Sequence, residues 1–300
     1  MPIDSTDLPD LPALVRARDA QGVVALLLWR DGRLRRLGTS LDALLERPLD
    51  RIRVELEEVG EEVDPSGLDL LAPVEGQEVW AAGVTYRRSR EARREESSQG
   101  GDFYDLVYEA ARPELFFKAS GWRVVGPGGE VGVRSDSSWD VPEPELVVLS
   151  NRRGEVVAYS CGNDMSSRSI EGENPLYLPQ AKVYDRSCAI GPIAVLAWEY
   201  EPAGKEMRLE IRRRGEAVFE GTASLDDMVR RPDEVTGVLH SALTLPLGAW
   251  LMTGTSIVPE PDYTARPGDE VVISIEGLGR LRNSVVEVSV GSAAAPARIR

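Results

Sequence analysis

The sequence predicts an α+β fold that is predominantly β, with a small N-terminal α/β domain over residues 1–75 and a larger domain over residues 76–300. Short apolar runs separated by turn residues dominate the chain from about residue 76 onward. These runs lack the regular strand–helix alternation of a doubly wound sheet, and no glycine-rich phosphate loop follows any of them. The larger domain is therefore expected to be β-rich with inserted helices.

The N-terminal domain is predicted to open on an apolar strand at residues 23–29. The Asp-Gly pair at 31–32 supplies a tight turn into a second strand at 33–38. Residues 39–42, Thr-Ser-Leu-Asp, have the spacing of a capping box and predict a short helix that Pro48 ends.

The passage between the two predicted domains is marked by two breaks. Residues 64–67, Asp-Pro-Ser-Gly, interrupt the chain, and residues 71–74 lead into a strand at 79–82. An arginine-rich stretch at 86–96 is predicted to be helical. Together with the loop that follows, to residue 105, it is either a solvated surface segment or a mobile lid over an active site.

The C-terminal half is predicted to hold two strand pairs and one amphipathic helix. Strands at 209–212 and 217–219 form a hairpin, and strands at 271–275 and 281–290 form the last pair. The helix is expected at residues 233–243. Its apolar face consists of Val235, Val238, Leu239 and Ala242.

Composition describes a globular protein and excludes two classes of partner. Hydrophobic residues make up 42% of the chain and charged residues 28%, and the net charge of −15 argues against binding to nucleic acid or anionic membranes. The N-terminus lacks the basic region and apolar core of a signal peptide. No run approaches the roughly 18 apolar residues of a membrane span. A cytoplasmic protein is therefore expected.

Three carboxylates form the most informative pattern. Glu143 and Glu145 stand two residues apart in an extended segment, so both side chains point to one face, and Asp164 follows at the end of the next strand. Carboxylates held together repel one another unless one is protonated or a cation lies between them. Oxygen ligands without histidine or thiolate favour a hard ion, Mg²⁺ or alternatively Mn²⁺.

Lysine is rare in this chain, which makes its positions informative. Of 35 basic residues only three are lysines. Lys205 lies in a polar run, whereas Lys118 lies in an apolar segment and Lys182 follows the acidic cluster, so the last two are predicted to be functional. The two cysteines, Cys161 and Cys188, are interpreted as reduced core residues.

Five motifs, in this order along the chain, resemble the fumarylacetoacetate hydrolase superfamily and cover most of residues 76–290. They are the Glu-x-Glu pair at 143 and 145, Asn-Asp-x-Ser-x-Arg at 163–168, a lysine at 182 followed by Cys-x-Ile-Gly-Pro at 188–192, Thr-Gly-Thr at 253–255, and Arg-Pro-Gly-Asp to Arg-Leu-Arg-Asn over 266–283. Residues 113–119, 141–146 and 171–184 look most like the 2-dehydro-3-deoxy-D-arabinonate dehydratase branch.

The resemblance implies a single metal held by Glu143, Glu145 and Asp164 inside a curled mixed β-sheet. It also implies a homodimer or homotetramer and a small 2-oxo sugar acid as the substrate. The expected reaction is loss of water from 2-dehydro-3-deoxy-D-arabinonate to give 2,5-dioxopentanoate.

One departure from the superfamily favours the dehydratase branch. The superfamily's C–C hydrolases carry a catalytic histidine shortly after a tyrosine, but here Tyr86 is followed by Arg-Arg-Ser-Arg-Glu-Ala. The one histidine of the chain, His240, is predicted to lie on the polar side of the 233–243 helix. Hydrolysis of a carbon–carbon bond would thus lack its general base, whereas dehydration needs no activated water.

Roles for the remaining site residues follow from the expected reaction. Lys182 is a candidate for holding the enolate oxygen or for taking the C3 proton, and Glu114, beside an apolar run, is a candidate for the second proton transfer. Arg168 would grip the substrate carboxylate or orient a metal ligand. The other expected substrate contacts are Thr255, Lys118 and Tyr86. Glu171 and Glu173 are interpreted as residues that shape the loop after them.

Three alternatives stay open at this point. A Schiff base on Lys182 would need no metal but would leave the three carboxylates unexplained. An acylpyruvate hydrolase or an oxaloacetate-type decarboxylase would cleave the carbon skeleton or release CO₂. A protein that only binds sugar acids would be stabilised by ligand without turnover.

Overall fold

The computed structural model describes residues 9–58, 60–83, 85, 86, 110 and 112–289. Within these residues strands predominate over helices, which confirms the predicted fold class. The predicted helix at 86–96 and the lid alternative over 86–105 lie outside the described residues, apart from Tyr86. No helix of the described residues has both the length and the apolar character needed to cross a membrane.

The strands are numbered here in chain order. They are Ala13–Arg18 (β1), Val24–Arg30 (β2), Arg33–Arg36 (β3), Glu62–Val63 (β4), Asp69–Leu70 (β5), Glu78–Gly83 (β6), Glu114–Ser120 (β7), Glu130–Arg134 (β8), Asp140–Val141 (β9), Pro144–Ser150 (β10), Val156–Asp164 (β11), Ser166–Ser167 (β12), Cys188–Leu196 (β13), Glu206–Arg213 (β14), Glu216–Ser224 (β15), Ala249–Met252 (β16), Asp269–Ile275 (β17) and Gly279–Val288 (β18). The α-helices are Leu41–Leu45 (α1), Leu49–Glu57 (α2), Arg168–Glu173 (α3), Leu178–Lys182 (α4) and Pro232–His240 (α5).

The described strands form a large mixed sheet, a five-stranded sheet and a two-stranded pair. The large sheet has the order β4-β3-β2-β1-β13-β11-β10-β16-β6-β7, with β5 also paired to β1. Its pairs are antiparallel except for β16 with β6. The five-stranded sheet has the order β15-β14-β17-β18-β8, in which β18 and β8 run parallel. The expected mixed sheets are thus present.

The N-terminal strands continue the large sheet. Strand β1 pairs antiparallel with β13, with Ala13 opposite Val195 and Leu14 opposite Ala194. The predicted boundary at residues 75 and 76 stays a prediction, but backbone hydrogen bonds join the two parts across it.

Local signals in the N-terminal part were read correctly at two points and missed at a third. Asp31 and Gly32 both have positive φ, 54° and 72°, as the tight turn between β2 and β3 requires. The Ser40 side chain accepts a hydrogen bond from the Ala43 N–H and so caps α1. Pro48 does more than follow α1: it also precedes α2, a helix that the sequence reasoning did not predict.

The hydrophobic core lies on both faces of the large sheet. One face packs against the five-stranded sheet, through residues such as Ile193 and Leu281. The other face packs against α1 and α2, where Leu44 and Ile52 are fully buried near Trp250. Strands β10, β11 and β13 run through the middle, so the residues at their ends are held rigidly.

Helix α5 covers another part of this core. It ends at His240, three residues before the predicted end, so Ala242 lies outside the helix and is exposed. Val235 and Leu239 pack against Val148 and Leu251 of the sheet, as the amphipathic pattern predicted.

Candidate active site

Three acidic side chains converge where β10 begins and β11 ends. Glu143 directly precedes β10, Glu145 is its second residue, and Asp164 is the last residue of β11. The Asp164 N–H donates to the Glu143 carbonyl oxygen at 2.9 Å, which brings the two strand ends together. One carboxylate oxygen from each residue lies within 4.8 Å of the others. All three side chains are buried.

Two cationic side chains contact this trio. Lys182 Nζ donates to Glu143 Oε2 at 2.7 Å and to Asp164 Oδ2 at 3.0 Å. Arg168 Nη2 donates to Glu143 Oε1 at 2.7 Å. Both cations come from short helices that follow β11, since Arg168 begins α3 and Lys182 ends α4. Of the two roles expected for Arg168, the structure supports the orientation of Glu143.

The negative charge of the third carboxylate, Glu145, is the least compensated by nearby positive groups. Burial raises its pKa well above the ordinary range, and the neighbouring charges of Asp164 and Glu143 raise it further. Lys182 and a hydrogen bond from the Gly254 N–H act in the opposite direction. A dication between the three carboxylates would remove the repulsion that raises this pKa.

The turn that reaches Glu145 depends on a glycine. The Gly254 N–H donates to Glu145 Oε2 at 2.7 Å. Gly254 has φ +88°, and a Cβ atom there would lie 2.1 Å from Thr85 Oγ1, so no other residue fits without displacement. The Thr85 hydroxyl in turn donates to the Thr253 carbonyl oxygen, which explains the Thr-Gly-Thr motif physically.

A cavity of about 460 Å³, counted with its opening to solvent, contains this site. It is lined by Ala82, Gly83, Glu114, Phe116, Glu143, Glu145, Asp164, Arg168, Glu171, Leu178, Lys182, Gly254, Thr255 and Val258.

Seven of the nine residues that the sequence singled out lie at this cavity. They are Glu114, Glu143, Glu145, Asp164, Arg168, Lys182 and Thr255. Glu114 begins β7, and its carboxylate lies against Gly83 so closely that a Cβ atom at residue 83 would come within 2.0 Å of Oε2. The structure therefore places a candidate proton-transfer group and the acidic trio around one space.

Lys118 and Tyr86 are not among the residues that line the cavity. Lys118 is fully buried behind Asp164, with which it forms an ion pair. Tyr86 is also fully buried, and its hydroxyl has no hydrogen-bond partner among the described residues. Burial first, then the charges of Glu145 and Asp227, raise the pKa of the Tyr86 phenol. Neither position supports the direct substrate contact that the sequence suggested.

Glu171 and Phe116 are among the cavity residues that the sequence reasoning missed. Glu171, interpreted from the sequence as a loop residue, is buried and lines the cavity, whereas Glu173 is exposed. The missed signal was helical spacing, because Glu171 lies one turn after Arg168 on α3. Phe116 was missed too, and its ring centre lies 5.9 Å from Lys182 Nζ, in cation–π range.

The remaining titratable candidates lie away from the chemistry. Burial raises the pKa of Cys161 and of Cys188 to about 12, so both thiols are unreactive core groups. His240 is half-buried rather than on an open surface, and its Nε2 lies 2.9 Å from Ser150 Oγ. Within the described part of the chain, no histidine lines the cavity.

The donor set fits a hard dication. Three buried carboxylates offer oxygen atoms at short mutual distance. The pKa of Glu145 is raised first by burial and then by repulsion from Asp164 and Glu143, and bound positive charge would relieve that repulsion. The oxygen-only chemistry of the trio is what Mg²⁺ and Mn²⁺ prefer over softer metals.

Comparison with known proteins defines the class to which this site belongs. The family model described as fumarylacetoacetate (FAA) hydrolase C-terminal matches residues 78–286. The chain belongs to this family, as its motifs predicted.

Individual relatives are similar to this chain at a finer level than the family model. A probable 2-keto-3-deoxyxylonate dehydratase of Haloferax volcanii is 51% identical over 243 residues, which cover 80% of this chain and 83% of the relative. The 2-dehydro-3-deoxy-D-arabinonate dehydratase of Saccharolobus solfataricus is 41% identical over 213 residues, 70% of this chain and 72% of the relative. The predicted similarity to the dehydratase branch is confirmed.

A solved structure gives the same result for the fold. The structure of 2-keto-3-deoxy-D-arabinonate dehydratase complexed with magnesium and 2,5-dioxopentanoate matches with a TM-score of 0.83 at 33% identity. The match covers 92% of this chain and 99% of that chain.

Proposed function

We propose that this protein is a Mg²⁺-dependent hydro-lyase that removes water from a 2-keto-3-deoxy sugar acid. The reaction is conversion of 2-dehydro-3-deoxy-D-arabinonate to 2,5-dioxopentanoate, a step of sugar-acid breakdown. The observation that carries the proposal is the buried trio Glu143, Glu145 and Asp164 in a chain that is 51% and 41% identical to relatives named as dehydratases of such acids.

The trio would hold the ion through one oxygen of each carboxylate. When bound, Mg²⁺ supplies Lewis acidity toward the keto group of the substrate, which acidifies the adjacent C3–H bonds. Mn²⁺ offers the same chemistry with the same oxygen ligands.

The substrate carboxylate is held at the side of the cavity formed by Thr255. This residue follows Gly254, whose N–H fixes Glu145, so the hydroxyl is positioned relative to the trio. Arg168 keeps Glu143 in one orientation through its 2.7 Å contact to Oε1. With its carboxylate held there, the substrate would have C3 close to Lys182.

Two groups of the cavity move the protons. Lys182 acts as the neutral amine, a form that a dication bound at Glu143 and Asp164 would favour by repelling the ammonium charge, and takes a proton from C3. Burial beside the Phe116 ring reduces its contact with water. Glu114 gives a proton to the C4 hydroxyl, which leaves as water. The C3–C4 double bond so formed shifts to C4–C5 by proton transfer from C5 to C3, and the resulting enol becomes the C5 aldehyde.

The histidine content supports dehydration over hydrolysis. The chain contains one histidine, and His240 lies against Ser150 rather than at the cavity. Dehydration requires only that a proton be removed and a hydroxyl be protonated, and the cavity has both kinds of group.

The proposal is tested by product analysis. Purified protein is incubated with 2-keto-3-deoxypentonate, with and without a chelator, and the products are followed by NMR. We expect the dioxo acid in the presence of Mg²⁺, none after chelation, and recovery when Mg²⁺ is restored. Cleavage of the carbon skeleton would indicate the hydrolase alternative, and release of CO₂ the decarboxylase alternative. Turnover that survives chelation would contradict the metal site.

We further propose a homodimeric or homotetrameric assembly in the cytoplasm. The family resemblance supports the assembly, and the composition supports the compartment, because the two cysteines are both free and buried. Neither nucleic acid nor membrane is a partner, in keeping with the net charge of −15.

A further inference from the structure

Lys118 is a fully buried lysine whose ammonium group contacts three oxygen atoms of the protein. Its Nζ forms an ion pair with Asp164 Oδ1, donates to the Met165 carbonyl oxygen at 3.0 Å, and donates to the Lys182 carbonyl oxygen. Two of these contacts are hydrogen bonds to backbone oxygens, and the third, to Asp164 Oδ1, is an ion pair. Lys118 is fully buried and is not among the residues that line the cavity, so any effect on the site passes through these neighbours.

Those neighbours come from two different parts of the site. Asp164 and Met165 stand at the end of β11, whereas Lys182 is the last residue of α4. Lys118 itself belongs to β7, the strand that begins with Glu114. One buried side chain thus joins a carboxylate of the acidic trio to the backbone of the proposed proton acceptor.

The ion pair fixes the Asp164 carboxylate in one orientation. Lys118 holds Oδ1 and the Lys182 ammonium lies 3.0 Å from Oδ2, so each oxygen has its own cation. Rotation of the carboxylate would break both contacts in a buried site, where an unpaired charge is costly.

The residue type is specific to this task. Nearly all other basic residues of the chain are arginines. A planar guanidinium fork cannot point at three acceptors arranged around one atom, whereas an ammonium can. The Lys182 carbonyl oxygen also accepts from Ser187 Oγ at 2.9 Å, so the backbone of Lys182 is held from two sides.

We propose that Lys118 is a positioning residue that orients Asp164 toward the bound dication and anchors the backbone of Lys182. The inference rests on the proposed function for the identity of the ion. It predicts that removal of Lys118 weakens Mg²⁺ binding, although removal of a nearby positive charge by itself would strengthen it.

The test is calorimetric titration of Mg²⁺ into the full-length protein without substrate. We expect Lys118→Met to raise the Kd for Mg²⁺ by about tenfold or more, as is typical when the partner of a metal ligand is lost. Lys205→Met removes the same charge at a residue that pairs with Glu276 outside the cavity, and should leave the Kd unchanged. An unchanged or lower Kd for Mg²⁺ in Lys118→Met would overturn the inference. This holds even if the substitution also lowers the melting temperature of the protein.

Two further measurements distinguish failure of the Lys118 inference from failure of the proposed function. At saturating Mg²⁺ the kcat of Lys118→Met should stay about tenfold below wild type with little change in KM, because Lys182 is no longer anchored. Full recovery of kcat would refute the anchoring. If Lys118→Met does not fold, Lys118→Gln is titrated instead, with the same two outcomes. Absence of Mg²⁺ binding in the wild type would instead contradict the proposed function itself.

Discussion

Charge compensation among single residues decides what this site can do. The trio places three negative charges within 4.8 Å, and three cations contact it: Lys182 and Arg168 at the cavity, and Lys118 behind it. Glu145 alone has no direct cation among these contacts, and its pKa is raised. The unbalanced carboxylate therefore marks the position where additional positive charge stabilises the site most.

A substitution at Gly83 can move Glu114, the proposed second proton-transfer group, without disturbing the acidic trio. A methyl group at residue 83 would lie 2.0 Å from Glu114 Oε2, the end of a flexible side chain that can turn away. We expect Gly83→Ala to lower kcat by about 100-fold, the contribution typical of general acid catalysis, with little change in melting temperature or Mg²⁺ affinity.

The control for this substitution is Gly172→Ala. Gly172 has no heavy atom within 4 Å of the position that its Cβ would take, although it lies on α3 near the cavity. Steady-state kinetics of both variants decide the matter. Equal kcat values for Gly83→Ala and wild type would show that Glu114 takes no part in the reaction.

Some of these residues were predictable from sequence and others were not. The Glu143–Glu145 pair follows from the two-residue period of a strand, and Asp164 and Lys182 follow from their motifs. The position of Lys118 behind the trio, rather than at the substrate, depends on how β7 packs against α4. Contacts between elements distant in sequence have no local signature, so the residue was recognised but its role was not.

At the scale of elements, the site is built from the ends of rigid strands and from short helices. Strands β10 and β11 place the carboxylates, and α3 and α4 place the cations. Strands β2, β14 and β17 were predicted because apolar runs and turn residues define them, whereas β1 was not predicted. Helix α2 was missed, because Pro48 was interpreted only as the end of α1.

Helix α5 is attached to the sheet by a contact that should be sensitive to pH. Burial lowers the pKa of His240, whose Nε2 lies 2.9 Å from Ser150 Oγ at the end of β10. The His240 imidazole is therefore protonated at a higher pH in the unfolded chain than in the folded one. Stability from His240 is full above its ordinary pKa of about 6.5 and is lost as the pH falls through that value.

The comparison of wild type with His240→Gln isolates this effect. Urea unfolding at pH 8 should show the wild type to be more stable by about 1 kcal/mol, the usual contribution of one hydrogen bond. At pH 5.5 the difference should shrink or reverse. A stability difference that stays constant or grows at pH 5.5 would show that folding does not lower the pKa of His240.

At the scale of the whole molecule, the N-terminal part and the catalytic part share one sheet. Composition breaks at residues 64–67 predict a boundary, but the pairing of β1 with β13 crosses it. A sequence shows where the chain turns, whereas strand pairing between distant segments depends on the folded arrangement. A boundary predicted along the sequence therefore does not exclude a β-sheet that continues across it.

Removal of residues 1–75 should prevent the rest from folding. It would expose the edge of β13 and the core around Trp250, from which buried side chains such as Leu14 and Leu44 would be lost. Each such side chain contributes about 1.5–3 kcal/mol. We expect the fragment 76–300 to lack a cooperative thermal transition by circular dichroism.

The control for truncation is complementation. Co-expression of residues 1–75 with 76–300 should restore a folded, active pair if sheet continuity is the reason for the loss. A fragment 76–300 that folds alone and retains full Mg²⁺-dependent turnover would show that the two parts are independent domains.

The central claim is that the trio Glu143, Glu145 and Asp164 holds a dication that makes a bound 2-oxo acid lose its C3 proton. The most direct measurement uses 2-oxopentanoate, which has no C4 hydroxyl to lose, in D₂O. Exchange of its C3 protons for deuterium, followed by proton NMR, should require Mg²⁺. It should fall by about 100-fold in Glu143→Gln. The exposed carboxylate variant Glu173→Gln should exchange as the wild type does. Exchange that persists at the wild-type rate in Glu143→Gln or in the presence of a chelator would contradict the account.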